Sequence, residues 1–148
     1  MTLSLYSKAN VLSDELCQST LTLNDNILFV GIINQKGRVE CSQGHDCTIE
    51  KLPNTRKEIF FMENALIHRM RKEFNQDFGQ AIFTYLETSR NGLFSFPIDE
   101  NKLLLVYFSR AHVNSFMLAN RITRLICKHV KKLESVNFNQ LELFRDFK

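Results

Sequence analysis

The stretch Ile27-Leu-Phe-Val-Gly-Ile-Ile33, continued by Asn34-Gln-Lys-Gly37 and Arg38-Val-Glu-Cys-Ser42, decides the fold. Seven residues run apolar without alternation, a pattern that a strand sustains only when both of its faces are covered. A turn ending in Gly37 follows, and glycine can take the left-handed backbone that starts a return strand. The stretch therefore predicts a central strand, a tight hairpin, and a sheet with helices on at least one face.

Working outward, Leu103-Leu-Leu-Val-Tyr-Phe108 is a second unbroken apolar run and hence a second central strand. Arg38 to Ser42 is short and polar, as an edge strand should be. Gln80 to Thr88 alternates, with Ile82, Thr84 and Leu86 on one face and Ala81, Phe83 and Tyr85 on the other. The Asn91-Gly92 turn then leads to a strand at Leu93–Phe96, and Pro97 to Asn101 turns the chain into Leu103. These three strands form an antiparallel meander.

Three segments carry helical spacing. Ser7 to Leu23 places Ala9, Leu12, Leu16, Thr20 and Leu23 on one stripe. Lys57 to about Phe74, with Thr55 as its cap, places Ile59, Phe60, Met62, Leu66, Ile67, Met70 and Phe74 within roughly 160° of arc. Phe61 and Ala65 fall outside that arc, on the side expected to be wet, and His68 is read there as solvated. Arg110 to about Leu133 carries Leu118, Ile122, Leu125, Ile126 and Leu133, with Val113, Phe116 and Met117 closing the core at its start. Gln43 to Arg56 is polar and reads as a long loop. The order is α-β-β-α-β-β-β-α. Setting the two doubly apolar strands side by side gives an α+β fold: one five-stranded antiparallel sheet of order 2-1-5-4-3, the middle helix on one face and the terminal helices on the other.

The 148 residues read as one domain over 1–148, its core about 9–133, with 134–148 a tail or short appended helix whose Leu141, Leu143, Phe144 and Phe147 are placed to pack back. Apolar (44%) and charged (24%) shares are those of a globular chain, and a net charge of +3 does not by itself imply nucleic acid. No apolar run approaches the ~18 residues of a membrane span. The N-terminus has no signal-peptide pattern, so the expected compartment is cytoplasmic and the four cysteines are expected as reduced thiols.

At this point the chain resembles the roadblock/dynein-light-chain group of profilin-like folds. The residues that carry the resemblance are Phe29-Val-Gly-Ile-Ile-Asn34 with Gly37, Ala81-Ile-Phe-Thr-Tyr85, the Asn91-Gly92 turn and Leu103-Leu-Leu-Val-Tyr107. Leu21 through Gly31 is also similar to a Leu-x-x-Asn-Asp-x-Ile-x-Phe-Val-Gly pattern of uncharacterised archaeal domains. The resemblance spans about residues 9–133; the loop 43–56 and the tail are departures from it. It implies a non-catalytic domain that dimerises through the middle helix and an edge strand and binds small GTPases, although fold alone does not assign function.

Candidate chemistry is sparse. Cys41, His45 and Cys47 are the one compact set of zinc-type ligands, but they lack the paired C-x₂-C spacing and a fourth ligand, so a polar loop with incidental thiols is favoured. No Gly-rich phosphate loop occurs, no nucleophile–base pair is indicated, and no cofactor is implied, so an enzyme is not expected. Arg121, Arg124, Lys128, Lys131 and Lys132 lie within roughly 100° on the last helix and form a candidate surface for an anionic partner. Nucleic acid is such a partner but is not favoured over a solvated face. Phe61, Ala65, Phe83 and Tyr85 are the candidate dimer surface, and Phe61→Glu is expected to separate the subunits without unfolding them. The leading reading is a dimeric interaction, scaffold or regulatory module; the alternatives are a small-ligand or metal sensor and a nucleic-acid-binding domain.

Overall fold

The structure, a computed structural model, describes the backbone over residues 2–44 and 47–145 and side chains over 10–44 and 47–135. The elements are α1 (Thr2–Leu21), β1 (Ile27–Asn34), β2 (Val39–Gly44), α2 (Thr48–Lys51), α3 (Asn54–Lys72), α4 (Asn75–Phe78), β3 (Thr84–Glu87), β4 (Asn91–Pro97), β5 (Lys102–Ser109) and α5 (Ser115–Arg145). The strands form one antiparallel sheet of order β2-β1-β5-β4-β3, as the two apolar runs require.

β1 and β5 pair in the middle, with Gly31 opposite Leu105 and Ile33 opposite Leu103. Side chains alternate between two cores. Val30, Ile32, Leu104, Val106 and Phe108 face α1 and α5. Phe29, Ile33, Leu103 and Leu105 face α3. A register shift between Ile27 and Phe29 puts Ile27 on the same face as Val30, the effect of one extra residue in a strand.

The β1–β2 turn is held by the Asn34 side chain, whose Oδ1 accepts from the amides of Lys36 and Arg38, both at 3.0 Å. Gly37 closes the turn at φ +80°, and a Cβ there would lie 2.7 Å from the backbone of Met62. The turn is therefore pressed against α3, and only glycine meets both demands.

Several boundaries differ from the sequence reading. α3 begins after Pro53 rather than at a Thr55 cap; the Pro53 carbonyl accepts from the amides of Arg56 and Lys57. The expected loop 43–56 contains the end of β2 and the single turn α2, whose Ile49 is buried with Cys47 against the α3-side core. The last helix starts at Ser115, where the Asn114 side chain accepts from the Met117 amide at 3.1 Å. It then continues to Arg145 without a break near Leu133. Phe116 and Met117 are exposed and do not close the core, while Val113 packs on it. Packing by Leu141, Leu143, Phe144 and Phe147 lies outside the described side chains. No helix among the described residues is long and apolar enough to cross a membrane.

Candidate functional site

The largest departure from expectation is the orientation of α3. Phe61 and Ala65, assigned to the wet side, are its two buried residues, 7% and 2% exposed. The Phe61 ring packs on Phe29 and Phe60. The broad apolar arc points to solvent instead: Ile59, Met62, Leu66, Ile67, Met70 and Phe74 are all exposed, Met62 at 57% and Met70 at 61%. Phe60 alone of that arc leans on the core.

The reason lies in the spacing of the inner positions. Phe61, Ala65, His68 and Lys72 recur at three and four residues and form the sheet-facing stripe. Small Ala65 lets the helix lie close to the sheet. Asn64 beside it is hydrogen bonded, its Nδ2 donating to the Phe60 carbonyl at 2.8 Å and its Oδ1 accepting from Ser95 Oγ at 3.3 Å. Lys72 reaches over the edge to donate to the Glu100 carbonyl. A helix whose inner stripe is mixed and whose outer stripe is apolar has its larger apolar face left uncovered by its own sheet.

The uncovered face continues past the helix. α4 exposes Phe78, which stacks on Phe74 with centroids 6.0 Å apart. Leu86 of the edge strand β3 and Ile82 just before it are also exposed. A cleft of about 230 Å³ separates α3 from β3 and β4, and Ile67 and Leu86 both line it. Asn64, His68 and Ser95 also line that cleft. His68 is half-buried rather than solvated; its Nε2 is enclosed without a hydrogen-bond partner among the described residues, and burial followed by the nearby Lys72 holds its pKa down. Of the four residues assigned to the dimer surface, Phe61 and Ala65 are thus inside the protomer. Tyr85, on the other face of β3, and Phe83, just before that strand, have their rings against Phe94. The signals that could have placed the face correctly were an arc too wide for one sheet contact and two methionines within it, a residue suited to adaptable contact surfaces.

The zinc-type set is not assembled. Cys41 packs against the α1/α5-side core and Cys47 belongs to the α3-side core, so the sheet stands between them. His45 lies outside the described residues. Among the described residues no group of three or more metal-type ligands occurs. Cys41 meets a different thiol, Cys17 of α1, at 3.5 Å between sulfurs.

Arg121, Arg124, Lys128, Lys131 and Lys132 are all exposed, as their spacing implied. Two of them are tied to α1 and the residues just after it: Arg121 donates to the Leu23 carbonyl at 3.5 Å, and Lys132 lies 3.8 Å from the Glu15 carboxylate. The basic face and the apolar face therefore lie on opposite sides of the sheet.

No family model matches the sequence, and no curated protein sequence matches it. Solved structures do. The chain has the roadblock/LC7 fold. It is similar to a roadblock/LC7 domain from Streptomyces avermitilis at 14% identity and a TM-score of 0.63, over 82% of this chain and 97% of that one. MglB of Myxococcus xanthus matches at 16% identity and a TM-score of 0.64, over 88% and 91% of the two chains. An MglB structure in a tetrameric arrangement matches at 15% identity and a TM-score of 0.63, over 87% and 92%. At these identities the likeness is one of fold.

Proposed function

We propose that this protein is a non-enzymatic interaction module that associates with a second copy of itself through the outward face of α3. The observation that carries this reading is the uncovered stripe of Ile59, Met62, Leu66 and Met70, continuous with the exposed apolar residues at the β3 edge. An apolar surface of this kind, left bare by its own sheet, gains the most from burial against another protein. A two-fold arrangement lets one stripe cover its own copy, since each residue of the stripe then meets the same stripe. The edge strand β3 lies beside the stripe and offers unpaired backbone groups to the same partner. The tetrameric arrangement of an MglB chain of like fold supports the reading. Small GTPases, implied by the resemblance, are the partner class we assign to the assembled dimer, and we place this protein's role in scaffolding or regulating that partner.

Sedimentation equilibrium tests the proposal. The wild-type chain should run as a dimer at micromolar concentration and remain one in high salt, because an apolar interface is not screened. Met62→Glu with Met70→Glu should give a folded monomer. A wild-type monomer, or a double variant that still dimerises, overturns the assignment of this face.

A further inference from the structure

Cys17 and Cys41 lie 24 residues apart in sequence and on different elements, yet their sulfurs are 3.5 Å from each other. Cys17 is fully buried at the inner side of α1, and Cys41 is half-buried on β2, the edge strand of the sheet. A disulfide requires sulfurs about 2.05 Å apart, so closure asks for an approach of about 1.5 Å between a helix and an edge strand. Edge strands are the elements best able to give by that amount, being held on one side only.

The two thiols are also unlike each other. The Cys41 thiol is drawn below its ordinary range chiefly by the hydrogen bond from Cys17, with Lys102 assisting, while burial, Asp14 and Glu40 oppose. The Cys17 thiol is driven up, first by donating that hydrogen bond and then by burial. Cys41 is the half-buried residue of the pair, and Cys17 is the fully buried one behind it. That is the arrangement of an attacking and a resolving cysteine.

We propose that Cys17 and Cys41 form a reversible oxidation site, closed by a hydroperoxide to an intramolecular disulfide that ties α1 to β2. In the first step the Cys41 thiolate attacks one peroxide oxygen; the O–O bond breaks, Cys41 becomes a sulfenic acid, and the departing oxide takes a proton as water or alcohol. In the second step the Cys17 sulfur attacks the Cys41 sulfur, the S–O bond breaks, and the Cys17 proton leaves with the hydroxide as water. Two thiols lose two protons and two electrons, and the peroxide gains them. A dithiol reverses the change by exchange. The site lies on the α1/α5 side of the sheet, away from the outward face of α3, so it stands or falls independently of the proposed self-association.

The 148-residue chain treated with hydrogen peroxide, then denatured, alkylated and peptide-mapped, tests the proposal. The expected result is a linked Cys17–Cys41 peptide about 2 Da lighter than its two thiol halves, released by dithiothreitol, with both cysteines refractory to alkylation until then. Cys17→Ala should leave Cys41 without its resolving partner, so that a sulfenic-acid trap such as dimedone labels Cys41 several-fold more than in the wild type. Cys17 fully alkylated after peroxide, Cys41 linked only between two chains, or equal trapping in both proteins overturns the proposal. Should Cys17→Ala fail to fold, the peptide map of the wild-type chain decides alone.

Discussion

The ring of Phe61 lies 6.0 Å from the ring of Phe29, so α3 docks on β1 through a residue that its own apolar stripe leaves out. Met62, the next residue, is 57% exposed on the other side of the helix. One step along the chain separates the anchor of the protomer from the surface proposed to join two protomers.

Substitutions at these two neighbours should therefore behave oppositely. Phe61→Ala is expected to cost about 3–5 kcal/mol in urea unfolding, as truncating a buried aromatic does. Phe61→Glu should unfold the chain rather than separate folded subunits. Met62→Ala is expected to change the stability of the monomer by no more than about 0.5 kcal/mol. Comparable losses from Phe61→Ala and Met62→Ala in a monomeric background would contradict the orientation of α3.

The contact between the β1–β2 turn and α3 can be probed with two glycines of positive φ. Gly37 (φ +80°) would bring a Cβ within 2.7 Å of the Met62 backbone, whereas Gly79 (φ +84°) has nothing within 4 Å. Gly79→Ala should cost only the penalty of its extended positive-φ backbone (ψ 171°), about 1–3 kcal/mol. Gly37→Ala should cost clearly more, because backbone cannot move aside as a side chain can. Equal losses in denaturant titrations would mean that the turn does not press on the helix.

Acid should destabilise the fold through two histidines. Burial, then Lys72, depresses His68; burial, then Lys102 and Lys132, depresses His129, with Asp99 and Glu15 opposing. A base held low in the folded state takes up its proton more readily when unfolded, so unfolding gains protons as the pH falls. Their stabilising contribution is full above the ordinary histidine value of about 6.5 and declines as pH drops through it toward the folded-state values. Thermal unfolding followed from pH 7.5 downward should show the decline beginning there. His68→Gln with His129→Gln should flatten that part of the profile, and an unchanged slope would assign the acid sensitivity to other groups.

The sequence by itself determined the sheet. β1 and β5 are too apolar to be edges and β2 too polar to be central, and short turns leave β3 and β4 only one side on which to go; hence the order β2-β1-β5-β4-β3. Strand order follows from how many faces each strand must cover, and composition reports that directly. The tertiary structure alone decided which way α3 faces. Helical periodicity measures the angular width of an apolar stripe but not its direction, and a stripe made for a partner outside the chain has the same spacing as one made for the sheet. Distance through space decided the rest. Cys41 and Cys47 share a stretch of sequence but face opposite sides of the sheet, while Cys41 and Cys17, on separate elements, meet at 3.5 Å. β2 ends at Gly44, and Cys47 stands at the start of α2 against the α3-side core, so closeness along the chain does not bring two side chains to one place.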